Sequence, residues 1–232
     1  MKGNEDVEFA VILLALLTFV LPVVAVCLLV DKDRKSIIPM ITGALTYLIF
    51  EACIVLPVIN FLGYSLTVAI IGIIIIEVVR YLVLKIGFGK RQQFTTKAGR
   101  FFIGYAIVNL IVVWGIDALQ TAAVVLISDF DLVGGGEYWL AILTAFIKVI
   151  MLYAYTWLTM NAVKAKKGGF KYVLAAIGLH IISDENIIGE VCNIIGIDSL
   201  VRVLLLVAIT GITAFLIIKK KDFFWKDNGN ED

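Results

Sequence analysis

Residues 72–81 read Gly72-Ile73-Ile74-Ile75-Ile76-Glu77-Val78-Val79-Arg80-Tyr81, and the run from Tyr64 to Leu84 around them holds no other charge. A glutamate and an arginine one helical turn apart in so apolar a stretch are too costly in lipid to stand without partners. The surrounding chain is therefore read as the helices that enclose them. Composition agrees: of 232 residues 61% are hydrophobic and 17% charged, and the mean hydropathy is +1.01, values of an integral membrane protein.

Net charge is +1. No nucleic-acid partner is expected, because there is no basic surplus to displace counterions from phosphates. The expected partner is the lipid bilayer. Cys27, Cys53 and Cys192 are too far apart for a CxxC metal site and too few for a disulfide framework. The first apolar run is about twice the length of a secretory signal core, so it is read as a retained helix.

A helix needs about 20 apolar residues to cross a hydrocarbon core about 30 Å thick. Seven stretches approach this: Val7 to Val30, Ile37 to Leu62, Tyr64 to Ile86, Phe101 to Ile127, Tyr138 to Asn161, Tyr172 to Ile182 extending toward Ile188, and Leu200 to Ile218. The sixth is the weakest, since Ser183-Asp184-Glu185-Asn186 interrupts it and the piece that follows reads as re-entrant or interfacial. Lys and Arg crowd the connections after the first, third, fifth and seventh, whereas the fourth and sixth connections carry Asp129, Asp131, Glu137, Asp184, Glu185, Glu190 and Asp198. This alternation predicts an all-α bundle of seven spans, N-terminus outside and C-terminus in the cytoplasm. Residues 1–221 form one transmembrane domain and 222–232 a polar cytoplasmic tail.

The polar groups inside these spans are Glu51, Glu77, Arg80, Asn109, Asp117, Gln120, Lys148, His180 and, near an end, Arg202. At about 1.5 Å rise per residue, Glu77, Asn109 and His180 share a layer roughly 12–13 Å from the cytoplasmic edge. Glu51, Asp117 and Lys148 share a second, roughly 24 Å from it. Glu77 and Arg80, Asp117 and Gln120, and His180 and Asp184 are spaced to project from one side of their helices. One reading is structural, with Glu77 and Arg80 paired, Lys148 meeting Glu51 or Asp117, and Arg202 snorkelling. The other is a polar cavity enclosed by the third, fourth and sixth spans. A catalytic zinc site needs three protein ligands and an open position; with one histidine in the chain it would require carboxylate or amide ligands. Ser183, three residues after His180 on the same helix, is poorly placed as a nucleophile, and no GxSxG turn occurs.

These residues carry a family resemblance. The chain resembles the YhfC-like predicted intramembrane peptidases, a group similar to the CAAX-processing and bacteriocin-processing membrane proteases. Pro39 to Pro57, with Gly43-Ala44-Leu45-Thr46-Tyr47 and Phe50, is similar to the family's second span. Ile76-Glu77-Val78-Val79-Arg80-Tyr81 resembles its Glu-Glu-x-x-Arg-Tyr motif with Ile76 in place of the first glutamate. Gly115-Ile116-Asp117-Ala118-Leu119-Gln120 stands where the family has Gly-His-Gly-Gly-x-Glu, so Ile116 replaces the histidine and Gln120 the glutamate. His180, followed by Asp184, resembles the histidine of a later span.

The resemblance implies a fold in which glutamates and histidines activate water for peptide hydrolysis, directly or through a metal. With half of that set replaced, it implies a pseudoenzyme of the bacterial plasma membrane that binds a hydrophobic peptide or partner helix. Residual activity would use Glu77 as general base and His180 as polariser. The rival expectation is a transporter's membrane subunit, with Glu51, Asp117, Lys148 and His180 lining a path; lacking a nucleotide-binding motif, it would need a separate ATPase.

Overall fold

A computed structural model describes residues 2–24, 27, 37–89, 94–127, 135–165, 167–196 and 199–220. The polar tail 222–232, and many of the flanking charges used to orient the spans, lie outside the described residues. Among those described, the secondary structure is entirely helical.

Helix α1 runs over Lys2–Ala15 and continues through a π-helical turn, Leu16–Val20. Helix α2 spans Ile37–Leu62, with its middle, Tyr47–Val55, wound as a π-helix. Helix α3 is Leu66–Phe88. Helix α4 comprises Phe94–Leu110, a π turn at Ile111–Gly115, and Ile116–Ile127. Helices α5, α6, α7 and α8 are Gly135–Lys164, Phe170–Ser183, Glu185–Ile195 and Ser199–Lys220.

Five helices among the described residues are long and apolar enough to cross a membrane: α2, α3, α4, α5 and α8. The chain is thus a multi-pass membrane protein by length and composition. The remaining apolar helices, Glu8–Val24 and Phe170–Ser183, are shorter. At about 1.5 Å per residue, the 14 residues of α6 reach only partway through a hydrocarbon core. The sixth stretch therefore differs from its expected form: it does not run on toward Ile188. Asp184 is extended (φ −73°, ψ 120°) and its carboxylate accepts from the backbone N–H groups of Asn186 and Ile187. That is an N-cap, which stops one helix and starts another. Helix α7 ends at Gly196 in the left-handed conformation (φ 69°).

Local chemistry explains the other irregularities. Pro57 has no N–H to return to Cys53 and its ring crowds that carbonyl, and the wide turn of α2 lies just before it. The wide turns of α1 and α4 meet, with Gly115 set against the carbonyl of Thr18. The hydroxyls of Thr18, Thr46, Thr156, Thr159 and Thr210 return to carbonyls four residues back, which satisfies them without water.

Helix α5 is central, touching α1, α3, α4, α6 and α8. The main core joins Tyr47, Leu84, Phe88, Phe101, Tyr105, Met151, Leu152 and Tyr155. Helices α2 and α4 cross at backbone contact: Gly43 lies on the Phe101 carbonyl and Gly104 on that of Met40, leaving no room for a Cβ at either. This small-residue contact is how transmembrane helices pack closely without a hydrophobic driving force, and it sets Tyr47 of α2 against Tyr105 of α4.

Candidate functional site

Glu77 and Arg80 lie on the inner face of α3, both fully buried. Nη1 of Arg80 donates to Oε1 of Glu77 at 2.5 Å, so the expected pairing forms. His180, 2% exposed, brings α6 to the same oxygen, with Nδ1 2.7 Å from Oε1 of Glu77. With Nδ1–H donating to the carboxylate, a neutral ring keeps Nε2 as its acceptor. His180 does not turn toward Asp184, whose carboxylate is occupied in capping α7.

Aromatic rings surround the three. The Arg80 guanidinium carbon lies 4.7 Å from the ring centroid of Tyr105 and 5.7 Å from that of Tyr155, so two ring faces attract the cation. Tyr155 stacks on His180 at 4.3 Å and 16°. Its hydroxyl bonds to Ser183; since Ser183 donates to the Leu179 carbonyl at 2.8 Å, Tyr155 is the donor. Ser183 is thus directed away from a role as nucleophile beside His180. On the other side, Tyr105 donates to Oε2 of Glu51, and its ring meets Tyr47 edge-on, 5.4 Å between centroids. Asn109, 1% exposed, faces the Tyr47 hydroxyl without reaching hydrogen-bond geometry.

The three residues expected in the inner layer, Glu77, Asn109 and His180, are all buried, as is Arg80, and Glu51 bonds to Tyr105. The residues of the outer layer do not come together. Asp117 and Gln120 are exposed on α4. Lys148 is half-buried in a separate cleft of about 20 Å³ lined with Thr144, Ser183 and Glu185, and among the described residues it makes no salt bridge to Glu51 or Asp117. Tyr105 and Tyr155 carry much of the site and were not singled out beforehand. For Tyr105 the signal was weak: it stands one turn before Asn109, but only four residues inside a span expected to begin at Phe101, where a tyrosine reads as an interface anchor.

At the far end of α6, Arg202 donates to the Glu185 carbonyl at 2.8 Å and rests on Gly189, tying α8 to α7 rather than reaching for the interface. Tyr64, in the turn between α2 and α3, sits near the same group. Burial first, then the Asp184 and Glu190 carboxylates, raise its phenol above its ordinary value, and Arg202 opposes them.

Zinc does not fit the donor set. No cluster of three or more His, Cys, Asp or Glu side chains able to hold a metal occurs among the described residues. The two that converge, Glu77 and His180, share their oxygen with a guanidinium that repels a dication. What the arrangement does hold is a carboxylate fixed through Oε1, with Oε2 buried and free of partners. Compared with known proteins, the chain matches no family model, no curated protein and no solved structure.

Proposed function

We propose that this chain is a membrane-embedded binding protein of YhfC-like plan, an intramembrane peptidase relative that has kept the Glu77–Arg80–His180 core and lost efficient hydrolysis. It holds a hydrophobic peptide or partner helix through the polar core. In this reading α1 and the α6–α7 pair complete seven crossings, with the N-terminus outside and the C-terminus in the cytoplasm, as the basic and acidic connections direct.

The observation that carries the reading is the occupancy of the Glu77 carboxylate. Its Oε1 is engaged by Arg80 and His180 together, while Asp117 and Gln120, at the positions of the family's second catalytic motif, are exposed on α4. The core thus keeps polarity suited to recognition without a second acid–base partner or a third metal ligand. The transport reading has less support, because Glu51, Asp117, Lys148 and His180 fall in different environments instead of lining one path.

The test is to reconstitute the full chain in lipid nanodiscs with a fluorescent single-span peptide and to follow binding and cleavage together. Saturable binding with no cleavage above a protein-free disc is expected. Turnover that vanishes in Glu77→Ala would replace this reading with an active peptidase, and absence of binding would remove it.

A further inference from the structure

Asp117 and Gln120 stand on the second half of α4, Ile116–Ile127, which follows the wide turn at Ile111–Gly115. One side of this half is occupied: Ala118 and Ala122 are buried against Val11, Leu14 and Ala15 of α1. The other side carries Ile116, Asp117, Leu119, Gln120 and Ala123, all exposed. Thr121 donates to the backbone carbonyl of Asp117. Among the described residues, however, neither the Asp117 carboxylate nor the Gln120 amide has a hydrogen bond or an ion pair.

These side chains lie within an apolar span, which runs over Phe94–Val124. Beyond Gln120 the chain continues Thr121-Ala122-Ala123-Val124-Val125-Leu126-Ile127 without a charge, about 10 Å of helix at about 1.5 Å per residue. An aspartate is too short to snorkel past that length as a lysine can. A carboxylate facing hydrocarbon is costly unless it meets a cation or a donor. The uncovered face of α4 therefore has the character of one half of a contact.

Charge complementarity says what the other half carries. The group that answers Asp117 is a cation, and a second copy of this chain has none to offer on an open face. Arg80 is fully buried against Glu77, and Arg202 donates to the Glu185 carbonyl. Lys148 is recessed in the cleft it shares with Ser183, Glu185 and Leu206. The other half is also a helix, since only a helix brings a side chain to this depth with its own backbone satisfied.

We infer that the exposed face of α4 beyond its wide turn docks a transmembrane helix of a different membrane protein, one that brings a lysine or arginine to Asp117. Gln120 adds a hydrogen bond beside the ion pair, and the small Ala123 lets the two helices approach closely. This contact is separate from the buried polar core and does not depend on the peptide-binding reading.

The test uses the full chain in phosphatidylcholine nanodiscs and two labelled Leu/Ala peptides of about 22 residues, long enough to span. One carries a single lysine between its centre and one end, and the other has leucine at that position. Wild type is expected to bind the lysine peptide about tenfold more tightly, the scale of one charge-assisted hydrogen bond. Asp117→Leu, checked for unchanged thermal unfolding, is expected to bind both peptides alike. Asp117→Lys is expected to prefer a peptide with aspartate in place of the lysine, a reversal that a merely structural role would not produce. Binding through the polar core is common to both peptides and cancels in the ratio. Equal affinity of wild type for the two peptides overturns the inference, and a preference that survives in Asp117→Leu overturns the residue assignment. A wild-type dimer that Asp117→Leu dissolves makes a second copy the occupant and overturns the choice of partner. Loss of the preference in phosphatidylethanolamine discs assigns Asp117 to lipid ammonium groups and overturns helix docking.

Discussion

Nδ1 of His180 lies 2.7 Å from Oε1 of Glu77, across a sequence separation of 103 residues, and Arg80 reaches the same oxygen. One carboxylate thus anchors α6 to α3 in the middle of an apolar bundle. Removing the carboxylate strands a buried guanidinium, a loss of about 3–5 kcal/mol, whereas replacing both charges by apolar groups is far better tolerated. Glu77→Leu is therefore expected to lower the unfolding midpoint more than the double variant Glu77→Leu/Arg80→Leu, measured by thermal unfolding in detergent. A double variant at least as unstable as the single one would contradict this pairing. His180→Ala, which leaves the ion pair, is expected to cost less, about 1.5–3 kcal/mol for one hydrogen bond to a charged group.

The α2–α4 crossing makes a separate prediction. A methyl group at Gly43 or Gly104 would overlap the carbonyl of Phe101 or Met40, and backbone has little freedom to yield. Gly43→Ala and Gly104→Ala are each expected to destabilise by about 1–3 kcal/mol or more, the scale of overpacking. Gly87, on α3, has open space around its Cβ direction. Gly87→Ala is expected to be neutral or stabilising by up to about 1 kcal/mol. Equal effects at the three positions, by the same unfolding assay, would argue against the close crossing.

Asp184 caps α7, so Asp184→Ala is expected to cost about 0.5–2 kcal/mol and to act locally. Hydrogen exchange should quicken at the amides of Asn186 and Ile187, whose bonds to Asp184 are 3.1 and 3.0 Å, with little change around His180. Faster exchange centred on His180 would instead indicate that Asp184 supports the buried histidine.

Tyr64 gives the turn between α2 and α3 a pH dependence. Its phenol is raised above an ordinary value of 10.0, so the folded chain holds this proton more firmly than the unfolded chain. The associated stability is fully present below pH 10 and declines as pH rises through the ordinary value toward the raised one. Tyr64→Phe is expected to remove this part of the alkaline decline. Because Arg202 opposes the rise, Arg202→Gln is expected to move the Tyr64 transition further up, read as the ultraviolet difference between each protein and its Tyr64→Phe counterpart. A downward move would place Arg202 outside this group.

Much of the helix layout was legible in the sequence because lipid forces it. Long apolar runs have no other way to satisfy their backbone, and the long spans recur within a few residues of their expected ends, except that α4 begins at Phe94 rather than Phe101. Depth along a helix was readable in part: Glu77 and His180, counted to one level from their flanking charges, bond to each other. Facing was less readable. Asp117 and Gln120 come after the wide turn at Ile111–Gly115, which shifts the angular phase of everything beyond it, so their height did not tell which way they point. Nor did spacing show that Asp184 would serve a new helix instead of His180: an i,i+4 pair assumes that the helix continues, and Asp184 is where it stops.

The wide turn of α2 also bears on how this chain can change. Adding a residue to a helical turn swings everything after it by about 100°, so Tyr47–Val55 works as a phase shifter between Tyr47, turned toward Tyr105, and the segment Leu56–Leu62. Apolar substitutions at the exposed residues of Leu56–Leu62 other than Pro57 should be absorbed easily, whereas loss or gain of one residue within the turn would rotate the rest of α2 against α3. This stretch is open to drift in composition and closed to drift in length.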